Sequence, residues 1–248
     1  MKFQAIQSDT SNVPLYQVVS RALLSAIQKG QLKAGDTLAS ETELSREFGV
    51  SVGTLRKAVD ELVAQQILLR RQGRGTFVAT HTRDRFLFQF FQVQRQDGLK
   101  EFPKVETIDF EKGKADALEA SQLHLTEGDP IFRLQNLLSL QDQPVVFDRL
   151  CLPAALFKGL SASRVKQRPS TLYHLYQTEF GITVVKANER LRAVPCGKEA
   201  AKALGISVGT SVIELRRLAI GLNDKPVEYR VSTINTRHHD YVSQLAPS

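Results

Sequence analysis

The chain has 248 residues, of which 42% are hydrophobic and 24% are charged, a composition typical of a folded protein rather than a disordered one. This length accommodates two ordinary domains. The formal net charge of +7 favours an anionic partner such as nucleic acid. Both halves of the sequence share the excess, so charge alone identifies no binding surface.

Signals for export, membrane insertion or metal binding are missing from the sequence. Cys151 and Cys196 lack CxxC spacing and have no nearby histidine pattern, so neither a disulfide framework nor a zinc site is expected. Residues 1–12 lack the apolar core of a signal peptide, and no run of about 18 apolar residues occurs. We therefore expect a cytoplasmic protein with no membrane association, no metal and no cofactor.

The first eighty residues carry three helical patterns separated by turns. Apolar residues over positions 15–29 recur at helical spacing, and Gly30 is suited to cap that helix. Ser40 and Glu43 have the spacing of a capping box at the start of a short second helix. That helix is predicted to end at Gly49, where a left-handed backbone costs little.

A third helix and a glycine hairpin follow. Ser51 is predicted to cap the third helix, whose first turns expose small and basic residues, as a helix entering a major groove requires. Residues 68–78 predict a hairpin with glycines at its tip and arginines placed to reach phosphates or a minor groove. Each of these pieces alone is common in proteins. Their order along the chain is what predicts a winged helix-turn-helix.

Motifs between Pro14 and Val78 resemble the winged helix of the GntR family of transcription regulators. They include Phe48-Gly49-Val50-Ser51, Thr54-Leu55-Arg56 and Arg71-Gln72-Gly73-Arg74-Gly75-Thr76-Phe77-Val78. The exposed residues, together with what the resemblance implies, give the predicted DNA contacts: Ser40, Glu41, Thr42, Ser51, Gly53, Thr54, Arg56, Lys57, Arg71, Gly73, Arg74, Gly75 and Thr76. Thr42 and Val52 stand where the family commonly has arginines, so an atypical operator is expected.

Residues 79–85 are polar and aperiodic, which is typical of a linker. We predict a DNA-binding domain over 1–80, a linker over 81–85, and an effector-binding and dimerisation domain over 86–248. In the last of these, strand-like runs alternate with two helical segments, so the fold class is α+β.

A helix-plus-hairpin pattern occurs twice in the second domain. In each copy an alanine-rich helix, at 115–120 and 200–203, precedes two apolar runs joined by an Asp-x-Pro-Val turn, at 142–145 and 224–227. The duplication predicts one antiparallel sheet built from two related halves, with a cleft where the halves face each other. Chance similarity of two hairpins is the alternative.

Further motifs resemble the UTRA effector-sensing domain of the HutC subgroup, over about residues 86–241. They include Leu172-Tyr173, Phe180-Gly181-Ile182 and Pro226-Val227-Glu228-Tyr229. The resemblance implies a chorismate-lyase-like fold, a small-molecule effector, and homodimers that control the DNA-binding heads.

Polar residues that interrupt apolar strands are the candidate effector contacts, because a buried charge needs a partner in the protein or in a ligand. Thr171, at a predicted helix start, offers a hydroxyl and backbone donors to an anionic group. The full set is Arg133, Asp148, Arg149, Thr171, Tyr173, Glu189, Arg192, Arg216, Glu228 and Tyr229. A strand with one wet face also places charges at alternate positions, which is the alternative for each.

The class of effector is only partly restricted. Subgroup members that recognise sugar phosphates carry two arginines where this chain has Asn136 and Leu138, which disfavours a sugar phosphate unless Arg133 or Arg192 compensates. Carboxylates, amino-acid derivatives and phosphonates remain open.

Three functions are compared. The leading hypothesis is a repressor that binds a double-stranded DNA operator and is released by a small molecule. The second is a DNA-binding protein whose second domain only dimerises. The third is an enzyme, which we do not expect: the five histidines lack metal spacing, no G-x-S-x-G occurs, and no catalytic residue is assigned.

Overall fold

The computed structural model describes residue 3, residues 13–81 and residues 90–243. The chain divides into two compact units, Met1–Thr80 and His81–Ser248. In the described part of the chain, no helix combines the length and the apolarity needed to cross a membrane.

The first unit is a three-helix bundle followed by a hairpin. Its elements are α1 (Leu15–Gln28), α2 (Glu41–Phe48), α3 (Val52–Ala64), β1 (Leu68–Arg71) and β2 (Gly75–Val78). Leu23, Leu55 and Leu62 are fully buried between the helices, as their helical spacing predicts. Leu15, placed by the same spacing on the buried stripe, is 42% exposed because it lies in the first turn of α1.

The hairpin is tied to the rest of the first unit by a third extended segment. Thr37, between α1 and α2, forms a bridge with Phe77 of β2. The Leu38 backbone N–H donates to the Thr76 carbonyl oxygen at 2.8 Å. Because β2 is thus paired on both sides, its position relative to α2 is fixed by backbone hydrogen bonds.

The second unit is an antiparallel sheet with helices on both faces. Its elements are β3 (Val93–Arg95), β4 (Lys104–Lys114), α4 (Ala117–Leu123), β5 (Pro130–Leu140), β6 (Gln143–Pro153), α5 (Ala162–Lys166), α6 (Leu172–Phe180), β7 (Val184–Pro195), α7 (Lys198–Leu204), β8 (Ser211–Gly221), β9 (Pro226–Ile234) and β10 (His239–Tyr241). The six long strands pair in the order β4-β5-β6-β9-β8-β7, while β10 pairs with β3.

The sheet order confirms the duplication. Each copy contributes an edge strand, a short helix and a hairpin, and the two copies meet where β6 pairs with β9. The predicted α+β class with an antiparallel sheet is therefore confirmed. In addition to the two alanine-rich helices α4 and α7, α5 and α6 are inserted between the copies, and α6 begins directly after Thr171, where a helix start is predicted.

Side chains alternate between the two faces of the sheet. One face, here called the inner face, carries the main apolar core, with Leu134 and Leu150 packed beneath α6. The other, here called the outer face, carries α4 and α7 over two smaller clusters that include Ile131 and Phe147.

The predicted linker differs from the structure at its first residues. Ala79 is fully buried in the first unit, and His81, only 2% exposed, packs within the second. The Ala79 backbone N–H donates to the Ile67 carbonyl oxygen, and the His81 backbone N–H donates to Gln177 Oε1. Positions 82–85 lie outside the described residues.

Candidate DNA-binding surface and effector pocket

Hydrogen bonds between Ser40 and Glu43 fix the start of α2. The Glu43 backbone N–H donates to Ser40 Oγ at 3.2 Å, and the Ser40 backbone N–H and hydroxyl donate to Glu43 Oε2 at 3.0 and 2.8 Å. The Ser40 hydroxyl, followed by its backbone N–H, holds the pKa of the Glu43 carboxyl below its usual value. The predicted capping box is confirmed, and Thr42 lies exposed in the first turn of the helix.

Arg56 lies on the exposed side of α3 and contacts Glu41 of α2. Its Nε and Nη2 atoms donate to Glu41 Oε2 at 3.0 and 2.7 Å, although the Arg56 side chain is 60% exposed. Arg70 of β1 reaches the other oxygen of the same carboxylate at 3.5 Å. A carboxylate repels phosphate, so Glu41 is better suited to orient the two arginines than to bind the DNA backbone itself.

The start of α3 carries the other predicted base contacts. Ser51 caps the helix by accepting the Thr54 backbone N–H at 3.1 Å, and the two hydroxyl oxygens lie 2.9 Å apart. Gly53 between them is exposed. Lys57 sits one turn further on, with its Nζ 4.2 Å from the centroid of the Tyr16 ring. These side chains form one exposed polar strip along the first turns of α3.

The wing is a tight hairpin with arginines at its tip. Gly73 and Gly75 have φ angles of 71° and 99°, in the region that favours glycine. Arg71 lies over the Phe77 ring at 5.3 Å, and Arg74 is exposed in the turn. This geometry presents two guanidinium groups to solvent, and Arg74 forms no ion pair within the described chain.

Replacing Arg74 with alanine is expected to weaken binding to specific and to random DNA by the same factor, because a wing-tip arginine reaches phosphates rather than bases. The slope of log affinity against log salt is expected to fall by about one. Anisotropy titrations at several salt concentrations measure both effects. Gln72→Ala, an uncharged neighbour in the same turn, is the matched control; an unchanged slope for Arg74→Ala would contradict the assignment.

A cavity of about 610 Å³ in the second unit lies against the inner face of the sheet. Strands β4, β5, β6 and β9 form its floor, and the segment joining α5 to α6 forms its opposite wall. Of the predicted effector contacts, Asp148 and Thr171 line it. The strand residues that line it belong to the first copy, except for Arg230 of β9, so the cavity lies mostly over the first copy rather than where the copies face each other.

A buried network of charges lies beneath the cavity. Arg230 donates from Nε and Nη2 to Glu228 at 2.9 and 3.1 Å and from Nη1 to Asp148 at 3.0 Å. Tyr173 and Tyr176 donate their hydroxyls to the two oxygens of Glu228. Burial, together with the nearby Glu228 charge, raises the pKa of Tyr176 well above its usual value. Tyr173 and Glu228 therefore support the cavity floor rather than line it.

Glu189 is on the inner face but away from the cavity. It accepts from Arg217 Nε and from the Tyr241 hydroxyl, each at 2.6 Å. Arg217, which is 3% exposed, also donates to the Phe90 carbonyl oxygen. Glu189 thus has protein partners that account for its charge.

Half of the predicted effector contacts lie on the outer face, away from the cavity. Side chains alternate between the faces along each strand, and these five occupy the positions that face away from the cavity. They are Arg133, Arg149, Arg192, Arg216 and Tyr229. Protein groups balance these charges, for example Glu119 on α4, which binds Arg133 at 2.6 Å, and Glu214, which binds both Arg192 and Arg216. Polar interruption of a strand does not reveal which face a residue occupies, so these five residues lie on the face opposite to Asp148, and their role as effector contacts stays a prediction.

Several polar groups that the sequence pattern does not single out also line the cavity. Arg168 and Arg230 lie in its walls, and Thr107 donates to Asn136 Oδ1 at 2.7 Å across β4 and β5. Asn136 and Leu138, considered only as replacements for arginines, do face the cavity. Arg230 lies two positions after Glu228 on β9, so the alternation of side chains along the strand would have selected both residues. Nothing in the sequence distinguishes Arg168 from other loop arginines.

Family models match both parts of the chain. Residues 15–78 match the bacterial regulatory proteins of the gntR family, and residues 99–240, more than half of the chain, match the UTRA domain. A probable fructoselysine utilization operon transcriptional repressor of Escherichia coli is 29% identical over 86% of this chain and 87% of its own length. The mannosyl-D-glycerate transport/metabolism system repressor MngR of the same species is 27% identical over 92% of this chain and 94% of its own.

Solved structures show the same fold. The ligand-binding domain of a putative GntR-family regulator from Bordetella bronchiseptica superposes with a TM-score of 0.60 at 28% identity, covering 64% of this chain and 99% of that one. PhnF from Mycobacterium smegmatis gives a TM-score of 0.54 at 21% identity over 92% of this chain and all of its own, which supports the fold. The chain therefore belongs to the GntR family of transcription regulators, proteins that bind DNA and respond to small molecules through a UTRA domain rather than act as enzymes.

Proposed function

We propose that this chain is a cytoplasmic HutC-type repressor that acts as a homodimer on a nearly palindromic operator and dissociates when a small molecule occupies the inner-face cavity. Residues 1–80 bind DNA and residues 86–248 bind the effector and dimerise, while His81, at the start of the predicted linker 81–85, belongs to the second unit. The observation that carries this proposal is the combination, in one chain, of an exposed basic helix-and-wing surface with a cavity lined by apolar, polar and charged side chains in a second unit. The repressor names of the similar proteins support repression as the sign of control.

The thirteen predicted contacts form the DNA-binding surface of the proposed operator complex. They lie in three groups, at the start of α2, along the first turns of α3 and in the wing. Arg56, Lys57 and Thr54 on α3 read bases, since Arg56 and Lys57 are exposed and Thr54 is half-buried along the first turns of that helix. Arg71 and Arg74 of the wing bind phosphates, and Glu41 orients Arg56. Two copies related by a twofold axis present two such surfaces, which explains why a palindromic site is expected.

The test is a titration of the full chain against duplexes from the DNA upstream of its own gene. We expect salt-sensitive binding to one duplex that exceeds binding to a scrambled duplex of the same composition, and sedimentation of the free protein as a dimer. A metabolite that weakens this binding is then sought by thermal shift, because a ligand stabilises the state it binds. Equal affinity for specific and scrambled duplexes would refute the proposal.

Helix α6 is the proposed route from the cavity to the DNA-binding unit. Thr171 and Leu172, at its first turn, line the cavity. One and two turns later, His174 Nδ1 lies 3.2 Å from the His81 carbonyl oxygen, and Gln177 Oε1 accepts the His81 backbone N–H at 2.9 Å. His81 is the first residue of the second unit, so a shift of α6 on effector binding moves the point where the chain leaves the DNA-binding unit.

Gln177→Met tests this route, because methionine keeps the volume of the side chain but removes its hydrogen bonds to His81 and Thr183. We expect the factor by which effector weakens operator binding to fall several-fold while each ligand alone still binds. Titrations of operator with and without effector measure the factor. Thr178→Ala, at an exposed neighbour on the same helix, is the control, and an undiminished factor in Gln177→Met would exclude α6 as the route.

A further inference from the structure

Two neighbouring cations of α3, Arg56 and Lys57, are held by different partners. Arg56 donates to the carboxylate of Glu41, in the first turn of α2, at 3.0 and 2.7 Å. Lys57 places its Nζ 4.2 Å from the centroid of the Tyr16 ring, in the first turn of α1. Successive residues of a helix point about 100° apart, so the two side chains leave α3 in different directions. One cation of the predicted recognition helix is therefore oriented by α2 and the other by α1.

The carboxylates near Lys57 do not pair with it. Glu41 binds two arginines, and Asp60 binds Arg70 at 2.8 Å. Glu61 lies four positions after Lys57 on α3, a spacing at which an ion pair can form. Its Oε2 atom is nevertheless buried without a hydrogen-bond partner among the described residues, and it forms no ion pair with Lys57. The contact that orients the Lys57 ammonium group is therefore an aromatic ring, and no protein carboxylate competes with DNA for its charge.

An aromatic ring orients a lysine without occupying its hydrogen-bond donors. The face of a tyrosine ring attracts a cation within about 6 Å of its centroid, so the Lys57 ammonium lies well inside the range of this attraction. Tyr16 is itself half-buried, and its hydroxyl accepts a hydrogen bond from Gln17 Nε2 at 3.2 Å. Lysine has a flexible four-carbon stem, so holding it in place before DNA arrives reduces the entropy that binding costs.

We propose that Tyr16 is a positioning residue of the DNA-binding surface, whose ring holds the Lys57 ammonium group where operator DNA meets it. This inference rests on the proposed function, in which Lys57 contacts the operator. It adds α1 to the elements that determine DNA affinity, although the predicted contacts include no residue of that helix. Tyr16 acts through Lys57 rather than by touching DNA, so the two side chains contribute to binding as one unit.

A double-mutant cycle on the full chain tests the proposal, with the duplex that wild type selects from its upstream DNA as the probe. Tyr16→Leu removes the ring and is expected to weaken binding about 2- to 5-fold, the value of an exposed cation–π contact. Lys57→Met is expected to weaken binding more, because the cation itself is lost. In the Lys57→Met background, Tyr16→Leu should have no further effect. Equal losses from Tyr16→Leu in both backgrounds would overturn the proposal, as would no loss in either.

Tyr16→Phe separates the ring from the hydroxyl group. Phenylalanine keeps the ring face, so this variant is expected to bind within about twofold of wild type. A loss as large as that of Tyr16→Leu would overturn the proposal, because it would assign the effect to the hydroxyl. Gln28→Ala, at the exposed last residue of α1, is the control and should bind as wild type does.

Proton NMR of the free protein reports the contact directly, and a merely structural role for Tyr16 would not give the same signature. Protons above an aromatic ring are shifted upfield, so the ε-methylene protons of Lys57 should be shifted in wild type and Tyr16→Phe but not in Tyr16→Leu. Unshifted protons in wild type would overturn the proposal. If Tyr16→Leu fails to fold, Tyr16→Met replaces it in the cycle and in the spectra.

Failure of this inference is distinguishable from failure of the proposed function. A wild-type protein that prefers its operator to a scrambled duplex, but shows no coupling between Tyr16 and Lys57, refutes the positioning role alone. A wild-type protein without operator preference refutes the proposed function. The cycle measured on the scrambled duplex then still decides whether Tyr16 acts through Lys57.

Discussion

Replacing Arg56 with alanine is expected to reduce affinity for the operator about 5- to 150-fold, the value of one bidentate base contact, while affinity for random DNA changes little. The side chain is 60% exposed and is held by two hydrogen bonds to Glu41, so it is oriented before DNA arrives. Its removal also leaves the Glu41 carboxylate close to phosphate with only the longer contact to Arg70. Anisotropy titrations against operator and scrambled duplexes measure the loss of preference.

Two further variants serve as comparisons for Arg56→Ala. Glu41→Gln is expected to lower operator affinity less than Arg56→Ala, because the arginine is retained but its orientation is lost. Arg164→Ala, on the second unit, should leave both affinities unchanged. Near-ultraviolet circular dichroism should show the second unit folded in every variant. Full operator preference in Arg56→Ala would mean that α3 does not read the bases.

Replacing Arg230 with alanine is expected to lower the free energy of unfolding by about 3–5 kcal/mol, because Glu228 and Asp148 would remain buried without their counter-charge. All three side chains are at most 6% exposed. Denaturant unfolding monitored by circular dichroism measures the change. Because Arg230 and Asp148 also line the cavity, this loss of stability should accompany a loss of effector binding.

An exposed ion pair provides the contrast for this prediction. Arg164 and Glu179 lie 3.5 Å apart with side chains 51% and 39% exposed, so Arg164→Ala is expected to cost at most about 1 kcal/mol. A loss of similar size in both variants would show that the Arg230 network contributes little. Asp148→Asn, which keeps the shape of the side chain, is expected to give an intermediate loss.

Local structure in the first unit could be predicted because it depends on residues close together in the chain. The Ser40 capping box, the left-handed Gly49 and the Ser51 cap each use partners within three residues, and all three form as expected. The glycine hairpin is equally local. Arg56 and Glu41 are 15 positions apart in the chain and lie on different helices, so no local sequence pattern predicts their contact.

In the second unit the repeat predicted the sheet but not the site. Two helix-and-hairpin copies imply a paired sheet, and the order β4-β5-β6-β9-β8-β7 agrees. Alternation along a strand divides residues into two sets without saying which set faces a cavity. Arg133 and Asp148 both looked like buried charges in strands, yet the first pairs with Glu119 beneath α4 and the second faces the cavity.

The sequence by itself therefore determined that this protein has a winged helix-turn-helix and a duplicated antiparallel sheet, because caps, turns and periodicity act over a few residues. Only the tertiary structure decided where an effector can bind. The inner face acquires a cavity because α5 and α6 cover it, and Arg168 enters that cavity from a segment that lies 61 residues from its partner Thr107. Charges on distant segments are balanced, or left unbalanced, only when packing brings them together.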